Sequence, residues 1–452
     1  MNCNKQGLSY FSLTMLALGS IIGAGMFLGS GLTVHTTGVS VVLAYLILGI
    51  LMYFILSFLA ELSLLDPEQG SFQSYAAKAL GPGAGFVIGW LYWVSGIMVM
   101  SSEVTAAAIF TQTWFPNVPQ WLLVLLFTGG LTAVNLVGSR GFGRVESALA
   151  IIKVLALVGF IGAGLFLLLG SQSGRMMGWQ NLTGNSLFPG GFSGFAGSLL
   201  LVFFAYAGTS VVGLAINESD NPNRTVPRVV LATAVLVTSF YVVSIFLIVA
   251  LRPWSAYDAT TSPFVSALTA YRIYFAQNIM NFVVLTAALS AMSASMYGVS
   301  RMLYALAGQG EAPKYFLTRN AGKVPVPALM FSNSFLLVIA VLSYLIPGQL
   351  YLLVTGASGL LSIVNQLVIT FSHWKLKPKL RSEHKKQIFQ APGYPVANFI
   401  AGCFLLAIFV MALAVPDQRP SFLVGLGFIC GVTILYFLLG HEVKLHRPLR
   451  NR

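Results

Sequence analysis

The chain has 452 residues, 57% of them hydrophobic and only 8% charged, with a formal net charge of +13. Apolar runs of about twenty residues, the length a helix needs to cross a bilayer, recur from Phe11 to Leu439 and leave no room for a soluble domain. Backbone groups in hydrocarbon must be satisfied inside helices, so the composition defines an all-α polytopic membrane protein and excludes a soluble nucleic-acid binder.

Twelve transmembrane helices are predicted, at 10–35, 38–65, 83–113, 119–138, 145–170, 192–217, 227–252, 276–308, 326–346, 350–374, 395–416 and 421–440. They form a single membrane domain: 10–170 holds spans 1 to 5, 192–374 spans 6 to 10, 395–440 two further spans, and 441–452 a cytoplasmic tail. Between spans 7 and 8, Arg252 to Phe275 reads as a partly structured external loop. With the amino terminus inside, nineteen of the basic residues fall on the cytoplasmic side, four fall outside, and Lys153 and Arg301 lie within spans. That asymmetry predicts both termini in the cytoplasm of a multi-pass cell-membrane protein, in a bacterium its inner membrane. The basic tail is expected to meet anionic lipid. Cys3, Cys403 and Cys430 give no disulfide framework or metal spacing, and the histidines are scattered. The first apolar segment has no charged start or cleavage site, so it reads as span 1 rather than a removed leader.

Residues 18–31 read LGSIIGAGMFLGSG. The pairs Gly19–Gly23 and Gly25–Gly29 have the small-xxx-small spacing of a packing stripe. Gly23 and Gly25, two apart, lie on different faces of a helix, which a stripe does not need. The other reading is a break that frees amide donors for a carboxylate. FFAYAGT at 203–209 is a second weak point, in the corresponding span of the second set of five. Five crossings are odd, so two such sets must be inverted relative to each other, as in transporters with discontinuous helices at the midplane.

These stretches resemble the amino acid-polyamine-organocation superfamily, specifically its bacterial amino acid transporter family. The resemblance continues through AELSLLDPEQGSFQSYAAKALGPGAGFVIGWLYW (60–93), SEVTAAAIFTQTWFPNVP (102–119) and AVNLVGSRGFGRVESALAIIKVLALVGF (133–160). It resumes in FFAYAGTSVVGLAINESDNPNRTVPR (203–228), LSAMSASMYGVSRMLYALAGQGEAPKYF (289–316) and QAPGYPVANF (390–399). It implies a leucine-transporter-like fold of two inverted five-helix repeats plus two helices, and amino acid transport usually driven by protons. It further implies that amides of Gly23, Ala24 and Gly25 receive the substrate carboxylate. Carbonyls around Ile21, Phe204, Ala205 and Ala207 would receive the ammonium, with Phe204 at an aromatic gate position. Many members read Gly-x-Glu after the span 6 glycine where this chain has Gly208, Thr209 and Ser210, and a frequent Asn of span 8 is Ser293. The missing glutamate argues against a cationic substrate, while the small Ala207 and Ser210 leave room for a neutral side chain.

Lys153 lies eight residues into span 5, roughly 12 Å from its start, too deep for easy snorkelling. In some relatives a lysine here stands where sodium-coupled members hold an ion, so Lys153 is expected to be the proton-coupling group, touching span 1 near Gly19 and Ile22; the competing reading is a structural lysine on helix carbonyls. Glu103 forms a stripe with Gly96 and Met100 and could bind a proton, shape the side-chain pocket or be structural. Glu61 and Glu146 are expected near the cytoplasmic ends, in solvated or gating roles. Pro227 suits the first turn of span 7, and a cytoplasmic gate at Glu218 or Arg224 is a further option.

The expected function is uptake of a neutral L-amino acid by alternating access, a symport with the proton as coupling ion. No other cofactor, no nucleic acid and no obligate protein partner is expected. The alternatives are an amino acid exchanger and a non-transporting sensor with the same binding site. Enzymatic chemistry would need clustered acid-base groups or metal ligands, which the sequence does not offer.

Overall fold

The computed structural model describes residues 10–66, 72–137, 139–170, 172–183, 187–209, 222–258, 261–271, 274–383 and 389–445. All regular structure among them is helical. Nine helical stretches are long and apolar enough to cross a membrane, and Tyr10–Ile21, Gln120–Leu136 and Gly191–Ala205 are shorter apolar helices.

The expected first span is not one helix. It divides into α1 (Tyr10–Ile21), a single turn α2 (Ala24–Phe27) and α3 (Gly29–Thr37). There follow α4 (Val41–Leu65), α5 (Phe72–Leu80), α6 (Pro82–Gln112), α7 (Gln120–Leu136), α8 (Ser139–Leu169), α9 (Gln172–Thr183) and α10 (Gly191–Ala205). The chain continues with α11 (Pro222–Leu251), α12 (Pro263–Thr269), α13 (Tyr274–Gly308), α14 (Val326–Leu345), α15 (Pro347–Glu383), α16 (Val396–Ala414) and α17 (Arg419–Leu445). Helix α11 begins at Pro222, so Pro227 lies inside it and not in its first turn. Helix α15 runs nine residues past the predicted end at 374, straight through Pro378. The short α5, α9 and α12 lie outside the twelve predicted spans.

Helix α6 is the central post, packed against α13, α15 and α7, while α4 lies along α11 and α1 along α8. In hydrocarbon the apolar side chains gain nothing by leaving lipid, so close packing and interhelical hydrogen bonds hold these contacts. A methyl added to Gly49 would run into Thr238 of α11, and one added to Gly96 would run into Val299 of α13. Polar bonds fasten the same seams: Trp93 Nε1 donates to Ser332 Oγ at 2.9 Å, Ser95 meets Ser362 at 3.0 Å, and Ser102 meets Thr355 at 2.7 Å. Each contributes about 0.6 kcal/mol by analogy with measured intramembrane pairs. Ser293, where relatives often have Asn, accepts from Asn135 Nδ2 at 3.0 Å.

Candidate functional site

Helix α1 ends at Ile21, and Gly23 is extended (φ −132°, ψ −162°) before α2 begins at Ala24. The turn closes when Met26 N donates to Gly23 O at 3.2 Å and Leu28 N to Ala24 O at 2.8 Å. The first amides of any helix have no carbonyl behind them. Here one of them has a carboxylate: Ala24 N donates to Glu103 Oε2 at 2.9 Å and Oε1 at 3.2 Å. A methyl on Gly23 would occupy the position of that carboxylate, so only glycine leaves room for Glu103.

The second weak point is also a helix end. Helix α10 stops at Ala205, and the chain tightens into i to i−3 bonds, Tyr206 N to Phe203 O at 3.0 Å and Ala207 N to Phe204 O at 2.9 Å. The two ends touch. A methyl on Gly208 would meet the backbone of Ser20 and Ile21, and one on Gly25 would meet the Phe204 ring and the Ala205 Cα. Ser20 Oγ reaches Gly208 O at 3.3 Å and Ala17 O at 3.0 Å. Tyr241 of α11 ties both ends with one hydroxyl, 3.2 Å from Ile21 O and 3.0 Å from Ala205 O. Tyr351 of α15 donates to Ala24 O at 3.2 Å.

Three ionisable side chains surround this junction, and all are inside the protein. Lys153 is 0% exposed and donates to Gly19 O at 2.5 Å. Glu146, 1% exposed, lies against Gly19 and accepts from Ser290 Oγ at 2.6 Å. Lys153 feels the charge of both Glu146 and Glu103. Glu146 is therefore part of the helix-break cluster, not a solvated group at the cytoplasmic end. The sequence-based distance along span 5 misjudged it because α8 starts at Ser139, which puts Glu146 two turns inside the helix. Arg301 has its guanidinium 3.5 Å from the centre of the Tyr297 ring.

Of the residues singled out from the sequence, Ile21, Gly23, Ala24, Gly25, Phe204, Ala205 and Ala207 lie at this junction of two helix ends, and Glu103 and Lys153 border it. Ser210 and Glu218 lie outside the described residues. Sequence reasoning missed Tyr241, Tyr351 and Ser290. A tyrosine within the aliphatic run AVLVTSFYVVSIF was the available signal for Tyr241, since a buried phenol needs a hydrogen-bond partner.

A third buried carboxylate lies elsewhere. Glu61, 1% exposed near the end of α4, accepts from Lys377 Nζ and Ala391 N at 2.8 Å and pairs with His373 Nε2 at 3.0 Å. Arg381 stands 3.6 Å away, and Asn398 meets the other ring nitrogen of His373 at 2.9 Å. This cluster binds α4 to α15 and to the turn before α16.

The interrupted first span, α1–α3, meeting the end of α10 inside a polytopic helical bundle is the arrangement of membrane transporters built on broken helices. The fold matches that of a crystal structure of MhsT in complex with L-phenylalanine, with a TM-score of 0.64 at 15% identity, covering 90% of this chain and 99% of that one. The amino acid permease family model matches residues 12–451. Curated relatives from Bacillus subtilis (strain 168) include a gamma-aminobutyric acid permease, 35% identical over 98% of this chain and 94% of the relative, and the amino-acid permease AapA, 35% identical over 97% and 96%. A probable threonine/serine transporter, YbxG, is 34% identical over 96% of this chain and 95% of its own length. The chain belongs to the amino acid permease family: it is a multi-pass membrane protein that transports amino acids and not an enzyme.

Proposed function

We propose that the protein carries a neutral L-amino acid into the cell together with a proton, by alternating access. The observation that carries this reading is the Glu103 carboxyl group on the Ala24 amide, because there a free donor of the opened backbone of α1–α2 already meets a carboxyl oxygen. An amino acid would present its carboxylate to the amides of Gly23, Ala24 and Gly25 and its ammonium to carbonyls around Ile21, Phe204, Ala205 and Ala207. Ser210 and Phe204 would border its side chain. Gamma-aminobutyric acid and threonine or serine, named for two relatives, are zwitterions without net charge, in keeping with a neutral substrate.

Lys153 would carry the coupling proton, with Glu103 as its partner in exchange. A lysine beside two carboxylates and bonded to a carbonyl of the interrupted helix would change its charge when either neighbour moves. The architecture in this reading has twelve spans in two inverted sets of five plus two: α1–α3 count as one crossing, and α7 and α10 as short ones. Both termini are cytoplasmic, the membrane is that of a bacterial cell, the proton is the only coupling species, and no protein partner is required.

Uptake of labelled threonine, serine, alanine and gamma-aminobutyric acid into proteoliposomes, with and without an inward proton gradient, tests the reading. Accumulation should require the gradient, and Lys153→Met should retain counterflow while losing uphill transport. Counterflow in the wild type with no net uptake would establish an exchanger instead. Binding without any flux would establish a sensor.

A further inference from the structure

The turn before α16 and the overhanging end of α15 enclose a cavity of about 440 Å³, lined by Lys377, Arg381, Ala391, Gly393 and Tyr394 among others. That is within the range of roughly 300–1,000 Å³ typical of small-ligand sites. Its charge is unbalanced among the described side chains. Lys377 and Arg381 face a single carboxylate, Glu61, which Lys377 already pairs at 2.8 Å. Arg381 stands 3.6 Å from Glu61, too far for a hydrogen bond, and its side chain is 41% exposed. Its planar fork of donors suits a phosphate better than a point charge would. Lys375 and Lys379 on the exposed side of the same helix raise the local positive potential further.

The cavity's surroundings decide what kind of anion would enter. Trp374 is 47% exposed beside it, and the first turns of α16 present Val396, Phe399 and Ile400, each more than half exposed. A tryptophan flanked by lysines marks the depth of lipid headgroups, and exposed aliphatic and aromatic side chains beyond it face acyl chains. A soluble phosphate compound would use the cations and leave this apolar margin idle. A diacyl phospholipid uses both.

We propose that this cavity is a binding site for an anionic phospholipid, its phosphodiester on Arg381 and Lys377 and its acyl chains along Val396, Phe399 and Ile400. Basic pockets at the ends of membrane helices are the general setting for such lipids. The site is separate from the helix breaks and does not depend on what is transported. It has a structural consequence, because the residues that hold the headgroup are those that hold Glu61, so an occupied site and the α4–α15 tie share their donors.

The test is native mass spectrometry of the full chain released from nanodiscs containing phosphatidylcholine and phosphatidylglycerol in equal amounts. The wild type should retain phosphatidylglycerol in preference. Arg381→Gln should reduce that preference about fivefold, the change expected for one basic residue at the membrane surface, and Arg381→Lys should restore part of it. Lys379→Gln, which removes only long-range potential on the exposed side of the helix, should lower the preference by less than about twofold. Because Glu61 keeps three donors in Arg381→Gln, a melting curve close to that of the wild type should accompany the loss. Equal retention of both lipids by the wild type overturns the proposal. So does a fall of equal size in Lys379→Gln, which would mean diffuse surface charge. Stabilisation by inorganic phosphate with no lipid preference overturns it as well, leaving a free-anion site only.

Discussion

Glu61 and Glu103 are both buried carboxylates within a few per cent of full enclosure, yet their surroundings differ in kind. Glu61 is met by an imidazole, an ammonium and a backbone amide within hydrogen-bond distance, with a guanidinium just beyond. Among the described residues Glu103 has the single amide of Ala24, supplied by a turn of helix that is itself detached from α1. A carboxylate whose acceptor sites are filled by three donors from two segments of chain can leave only by dismantling them. One held by a lone amide can be exchanged for another carboxylate at little cost. The first is the signature of a permanent tie and the second of a group that moves during work.

The largest expected effect follows from the filled site. Glu61→Ala leaves Lys377 buried without its counterion and His373 without its hydrogen-bond partner, and removing one partner of a buried ion pair typically costs about 3–5 kcal/mol. Thermal unfolding in detergent should show a large drop, and a melt indistinguishable from that of the wild type would refute the comparison. Glu103→Gln should by contrast alter stability by about 1 kcal/mol or less, since an amide oxygen can still accept from Ala24 N. Its mark should be on function: the dependence of uptake on external pH should flatten while the protein remains folded. If the two variants exchanged these phenotypes, the assignment of tie and mobile group would be reversed.

Between these lies Gly23→Ala. The added methyl meets the Glu103 carboxylate and a methyl of Ala291 at 3.0 Å, an overpacking cost of about 1–3 kcal/mol. Substrate affinity measured by thermal shift should fall by about tenfold or more, taking 1.4 kcal/mol per decade, whereas Gly129→Ala, where a methyl meets nothing within 4 Å, should change neither stability nor uptake. Tyr241→Phe should have a small effect on stability, comparable to that of Glu103→Gln. Removing one shared hydroxyl should cost about 1 kcal/mol, with a greater reduction in transport rate than in binding. Equal loss of both would mean that Tyr241 is only a packing residue.

Much of the fold and part of the site could be read before any coordinates. Apolar runs of membrane length are a coarse signal that survives without knowing which way any helix faces. The spacing of Gly23 and Gly25 carried local information as well, because two glycines on opposite faces do not serve one packing stripe. What failed was rotation and depth. In helices apolar all round, periodicity does not say which side faces the protein, so Tyr241, Tyr351 and Ser290 could not be distinguished from lipid-facing neighbours. Glu146 was misjudged for a related reason: helix starts are poorly marked, and an error of six residues moves a group by about 9 Å at 1.5 Å per residue. The end of α15 was missed because Lys375, Lys377 and Pro378 read as a stop. Lysine, leucine and arginine are good helix formers, and the contacts of Lys377 and His373 with Glu61 hold the helix through its proline.

The hydroxyl of Tyr241 has a single proton and two claimants, Ile21 O and Ala205 O. At any instant one of the two helix ends is therefore underserved, and it is a different end from one moment to the next. An ammonium group brings three donors to the same place and could satisfy both carbonyls together without displacing the phenol's oxygen. The shortage is small, a fraction of one hydrogen bond. It is also selective in sign, because two carbonyl oxygens ask for donors and give no advantage to an anion.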